Sequence, residues 1–200
     1  GKNIGGNLIS KAIAYSMGVL EVNASMGLIV AAPTAGSSGV IPGVLLALQE
    51  EYDFTDEQII DALFTCSAIA TVAGAVGGCQ AEIGVAAAMA AAAVVELMGG
   101  TPEQCTDSAS TVLMNMLGLV CDPVGGLVEY PCQNRNASGA SNAIVAAEIS
   151  LAGIHQLIPL DEMMDIMYTV GKKLPAELRE TALGGCALSP SACAKCKIKH

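Results

Sequence analysis

Residues 79–98 read CQAEIGVAAAMAAAAVVELM. Alanine is the strongest helix former, with Leu, Met and Glu close behind, so the stretch predicts one long helix. It is so poor in polar residues that it is expected to be buried on all sides. Gly77-Gly78 breaks the chain before it, and Gly99-Gly100 closes it where helices commonly end on a left-handed glycine. Thr101-Pro102-Glu103 then has the order N-cap, N1, N2 and opens another helix to about residue 119.

Outward from there the chain keeps reading as helix and loop. A first helix is expected over 7–20. The segment APTAGSSG at 32–39 reads as a loop opening a helix at about Val40, with Pro42 in the first turn, and that helix runs to about Tyr52. Thr55 is the expected N-cap of the next, whose Asp56 and Glu57 suit the positive helix end and whose Ile59, Ile60, Leu63 and Phe64 form an apolar face. Residues 121–141, CDPVGGLVEYPCQNRNASGAS, change character: prolines, glycines and asparagines predict a structured loop, and loops that long inside a domain usually carry function. Helices follow at 140–152 and 160–171, then a short one beyond Pro175, a Gly184-Gly185 stop and a Cys/Lys-rich end. No strand alternation and no repeat stands out. The reading is all-α: a single compact domain of seven or eight helices over 1–185 with one long loop, and a tail at 186–200.

Composition narrows the function. A length of 200 residues suits one domain. With 52% hydrophobic and 14% charged residues the chain is not disordered. Aromatics are 3% and Trp is absent, so the core must be Ala, Leu, Ile, Val and Met. The net charge is −10 and no basic residue lies between Lys11 and Arg135, which excludes a nucleic-acid-binding face. The uncharged run 62–81 is long enough to span a bilayer, but its polar residues and acidic flanks, Asp61 and Glu82, favour a buried helix and no membrane. The chain shows no secretory signal, and Gly1 opens inside an apparently structured segment, so further helices are expected ahead of it.

Eight cysteines without an export signal argue against a disulfide framework. Cys66 and Cys105 sit in apolar helical contexts and read as core residues. Cys79, at a helix start, and Cys121 and Cys132, in the long loop, sit where backbone N–H groups are left over to bond a metal thiolate. Softness favours zinc or an iron–sulfur cluster, and spacing alone does not choose. Cys193-Ala-Lys-Cys196 is a CxxC without a second pair and reads as a tail with two thiols. His155, the sole internal histidine, reads as a satisfied interior or interface residue. In the loop at 32–39, small residues, the hydroxyls of Thr34, Ser37 and Ser38, and the N–H groups of the following helix suit a carboxylate or phosphate. It does not match a P-loop, and a plain helix N-terminus is the alternative.

VAAPTAGSSGVIPG at 30–43, GAVGGCQAEIGVAAAMAAAA at 74–93, CDPVGGLVEYPCQNRNASGASNA at 121–143 and LPAELRETALGG at 174–185 resemble the α subunit, or catalytic domain, of iron–sulfur-dependent L-serine dehydratases. The resemblance spans almost the whole chain. It implies an all-helical domain in which Cys79, Cys121 and Cys132 hold a 4Fe-4S cluster, and a substrate loop made of Thr34, Ala35, Gly36, Ser37, Ser38 and Gly39. It further implies a β subunit or β domain, which nothing here resembles, assembly into a hetero- or homo-oligomer, and a cytoplasmic enzyme of amino-acid degradation.

The implied reaction turns L-serine into pyruvate and ammonia, with an open iron as Lewis acid toward the departing hydroxyl. The Thr34–Gly39 loop would hold the substrate carboxylate. Arg135 would bind a carboxylate too, or bridge to an acidic neighbour. The base is not identifiable from this chain. A pyridoxal-phosphate enzyme would need a Schiff-base lysine, and 12–171 has none. A cysteine desulfidase with the same cluster and a module that only carries a cluster are the alternatives. A tail thiol, Cys193 or Cys196, reaching the open iron is a further expectation, set against a disordered tail.

Overall fold

The computed structural model describes residues 3–72, 78–127 and 129–196. Among them are eight α-helices: α1 (Gly6–Ala24), α2 (Val40–Tyr52), α3 (Asp56–Val72), α4 (Cys79–Leu97), α5 (Pro102–Asn115), α6 (Cys132–Leu151), α7 (Leu160–Lys173) and α8 (Pro190–Cys196). Short 3-10 turns join several of them, and the described residues contain no strand, only an isolated bridge between Cys121 and Arg179. The all-α expectation holds.

Helix α4 is the axis of the bundle, with α2, α3, α5 and α6 packed around it. From Cys79 to Val95 every residue is buried except the half-buried Glu82. Alanine on every side lets the neighbouring helices approach closely, so the segment poorest in polar groups becomes the core. It is also the one helix among the described residues long and apolar enough to cross a membrane, and 83% of its apolar stretch is buried inside the fold. The uncharged run 62–81 is divided between α3 and the start of α4, with 73–77 outside the described residues.

Local chemistry sets the element boundaries. Thr55 and Thr101 each form a reciprocal capping box. Their hydroxyls accept from the Gln58 and Gln104 N–H groups at 3.3 Å, and those glutamines accept from the threonine N–H groups at 2.9 Å. Helices α1 and α2 touch through glycine. A Cβ on Gly43 would lie 2.6 Å from the Ser16 Cβ and 2.8 Å from the Ala12 carbonyl, and one on Gly39 would run into the Ser16 carbonyl.

The main correction concerns the segment expected to be a loop over 121–141. The loop ends at Pro131, and α6 already begins at Cys132, eight residues before the expected start at 140. The Asn/Ser/Gly run looked like loop because these residues are poor helix formers, but here they are packed. Gly139 lies where a Cβ would meet the Ile83 Cγ2 at 2.8 Å, and Asn136 is wholly buried. Helix α5 stops at Asn115, short of 119, and Gly118 with φ +80° turns the chain.

His155 is satisfied, as expected, but is not an interior residue. It lies on the surface with its side chain 76% exposed and its Nδ1 2.9 Å from the Asp107 carboxylate. Beyond residue 185, a 3-10 turn (Gly185–Leu188) and α8 lie on the turn at Val124–Gly126, with Ala187 and Ala192 buried. Residues 197–200 and the Cys196 side chain lie outside the described residues.

Candidate metal centre and ligand loop

The first residue of α4 is Cys79 and the first residue of α6 is Cys132. Both sulfurs therefore sit at positive helix ends, which favours thiolate over thiol. Gly78 precedes Cys79 with φ +74° and ψ −163°, a conformation closed to side-chain-bearing residues, and a Cβ there would lie 3.6 Å from the Cys121 Cβ. Cys121 is held by the bridge to the segment after α7: its N–H donates to the Leu178 carbonyl at 2.9 Å, and its carbonyl accepts from the Glu180 N–H at 2.8 Å. All three cysteines are buried, and Cys121 and Cys132 lie close enough to Cys79 to govern its ionisation. Residues far apart in sequence thus meet at one point.

The charges follow from that meeting. Hydrogen bonds from Cys121 and Cys132, with help from Arg135, pull the Cys79 pKa down to about 3. Sharing with the Cys79 thiolate, together with burial, pushes Cys121 and Cys132 up. Cys66 and Cys105 differ: burial raises their thiols to about 12 and 11, and both are core residues as expected.

Arg135, one turn into α6, spans the site. Its guanidinium is 2.8 Å from the Asp122 carboxylate and donates to the Cys79 sulfur at 3.6 Å. Burial works against its charge, and the thiolate and the carboxylate more than offset this, so its pKa is raised. The buried Asp122 also accepts from the Cys186 N–H at 2.6 Å, tying the segment after Gly185 to the centre. Arg135 thus bridges to an acidic neighbour, Asp122, beside the cysteines. Cys193 is exposed and its thiol donates to the Ala187 carbonyl.

The loop before α2 closes on itself. Thr34 and Ser37 form a capping box with their hydroxyls 3.1 Å apart, and the Ser38 hydroxyl donates to the Ala35 carbonyl at 2.7 Å. Ser37 and Ser38 are buried, which leaves the Ala35 and Gly36 N–H groups without a partner among the described residues. An anion would find those N–H groups and the start of α2.

Three functional residues escape a reading by motif. Asn136 is wholly buried; its amide donates to the Gly36 carbonyl at 2.7 Å and the Cys132 carbonyl at 2.8 Å, and its oxygen accepts from the Gly39 N–H at 3.1 Å. It joins the loop to the cysteine centre. Its signal was its place four residues after Cys132, visible only once α6 is known to start there. Glu82 lies one turn after Cys79 on the same face of α4, with its carboxylate 4.0 Å from the Cys121 sulfur. Burial first, then the Cys79 and Glu180 charges, raise its pKa to about 7, and the Thr34 hydroxyl beside it pulls the other way. Ligand atoms of Cys79, Glu82 and Cys121 all lie within 4.8 Å of one another and could hold a metal ion. The third is Gln80, which fixes the start of α4: it donates to the Met167 carbonyl and accepts from the Gly118 N–H, both at 2.8 Å.

Residues 1–187 match the family described as serine dehydratase alpha chain. The chain belongs to that family. It is 54% identical over 198 residues to the probable L-serine dehydratase alpha chain of Bacillus subtilis (strain 168), covering 96% of this chain and 66% of that one. It is 46% identical over 192 residues to the corresponding Latilactobacillus sakei chain, covering 92% of each. The L-serine dehydratase of Helicobacter pylori (strain 26695) is 40% identical over 190 residues, with 42% of its length covered. The chain therefore spans about two thirds of the Bacillus relative and less than half of the longer Helicobacter enzyme.

Proposed function

We propose that this chain carries the cluster-binding, catalytic part of an L-serine dehydratase, converting L-serine into pyruvate and ammonia. The observation that carries this reading is the convergence of Cys79, Cys121 and Cys132 on one buried point, tied to the Thr34–Gly39 loop by Asn136. The donor set fits a 4Fe-4S cluster: three soft sulfurs, two of them at positive helix ends, and an arginine to balance their charge. Cys79, Cys121 and Cys132 would hold it. When bound, such a cluster supplies an iron without a protein ligand, a Lewis acid toward the substrate hydroxyl.

The chain's own residues do the rest. Thr34, Ala35, Gly36, Ser37, Ser38 and Gly39 shape the loop that takes the substrate carboxylate, with the Ala35 and Gly36 N–H groups as donors and the positive end of α2 behind them. Arg135 and Asp122 fix the Cys79 side of the centre. Burial of all three sulfurs keeps water from them. The words alpha chain in the names of the relatives support a separate β chain as partner.

The test is an assay of the assembled enzyme, loaded with iron and sulfide without oxygen and given L-serine. Equal amounts of pyruvate and ammonia support the reading. Turnover of L-cysteine to sulfide without serine turnover would favour a desulfidase, and a loaded protein that turns over neither would be only a cluster carrier.

A further inference from the structure

L-Serine presents three groups to a site: a carboxylate, a hydroxyl and an ammonium. The loop donors answer the first and the cysteine centre the second. The ammonium needs an anion that is half-buried, reachable, close to both, and not already paired with a cation. Glu82 meets each condition. It projects from the first turn of α4 on the face that carries Cys79, its carboxylate is 4.0 Å from the Cys121 sulfur, and the Thr34 hydroxyl is beside it. It is half-buried, where α4 is otherwise buried as far as Val95.

Among the described residues no cation pairs with Glu82. Arg135 is engaged by Asp122, and Lys11 by Glu50 and Glu51 on the far end of α2. An ammonium brought to this carboxylate would supply the charged partner that no described residue provides.

Resting on the serine reading above, we propose that Glu82 binds the substrate's α-ammonium, and that this contact selects amino acids over other hydroxy acids. The three recognition points then lie on separate elements: the loop before α2 for the carboxylate, the cysteine centre for the hydroxyl, and α4 for the ammonium. Three points fixed on three elements also define the hand of the α-carbon.

The test compares L-serine with 3-hydroxypropanoate, the same skeleton without the amino group, on the assembled, cluster-loaded enzyme. Glu82→Gln should raise the serine KM about 10- to 100-fold, the loss of a hydrogen bond between charged groups. It should leave the inhibition constant of 3-hydroxypropanoate unchanged or lower, with the iron count equal to wild type. Glu82→Asp, which keeps the charge one methylene short, should raise the serine KM less and with the same selectivity. Equal weakening of both compounds in either variant would make Glu82 a mere support of the site and overturn the proposal. An unchanged KM with a collapsed kcat would assign it to proton transfer, and loss of iron would make it a ligand; either overturns the proposal. A wild-type enzyme inactive on serine would remove the functional reading and this inference together. An active wild type whose selectivity Glu82→Gln leaves untouched would remove this inference alone.

Discussion

Asn136 shows how much one buried amide can organise. Three backbone groups from two segments depend on it: the Gly36 and Cys132 carbonyls and the Gly39 N–H. Asn136→Ala would take the side-chain partner from the Gly36 carbonyl and the Gly39 N–H in the interior, where each unpaired group costs about 1–3 kcal/mol, while the Cys132 carbonyl keeps its helical bond. The expected outcome is a lower midpoint of chemical denaturation and, in the assembled enzyme, a raised serine KM from a loosened loop. Asn136→Asp keeps the acceptor for Gly39 but loses both donors, and should behave nearly as badly. The Arg135–Asp122 pair makes a similar case with charge. Asp122 is 3% exposed and Arg135 15%, so Asp122→Asn strands a guanidinium near the Cys79 thiolate. Breaking a buried pair from one side typically costs about 3–5 kcal/mol, and urea unfolding of the variant measures it. A loss under 1 kcal/mol would show the pair to be solvated and of little structural weight.

At the scale of elements, glycine and threonine placement decides how the helices meet. Gly43→Ala would press a methyl group against Ser16 and Ala12, and overpacking of this kind costs about 1–3 kcal/mol. Thr101→Ala, which removes a capping-box hydroxyl, should cost about 1 kcal/mol. Thermal melts of the two variants should rank them in that order. The same features explain what the sequence made legible. Capping boxes at Thr55 and Thr101 and the alanine run of α4 act through neighbours in the chain, so those boundaries could be read directly. The start of α6 could not, because Asn136 and Gly139 are helical by virtue of partners about 100 and 56 residues away, Gly36 and Ile83. The three cysteines were visible as candidates from their places at breaks. Glu82 was not, because a single acid in an apolar helix looks like any other until the fold turns its face toward Cys121.

At the scale of the whole molecule, α3 turns Ala62, Cys66 and Ile69 to the core with Ile59 against it, and leaves Ile60, Leu63 and Phe64 of the expected apolar face exposed, Phe64 at 71%. Faces of this kind mark association. Phe64→Ser is expected to weaken assembly, read by light scattering, while leaving the melting temperature of the chain within a few degrees. The central claim is that three cysteines drawn from two helix starts and one bridge form a single iron–sulfur centre. The most direct test counts iron and sulfide, and records visible absorbance, in protein purified without oxygen and carrying Cys79→Ala, Cys121→Ala or Cys132→Ala, beside Cys66→Ala and Cys105→Ala. The account predicts that each of the first three loses the iron and the brown colour, while the last two keep both. Full iron content in any of the first three, or loss of iron in both core variants, would contradict it.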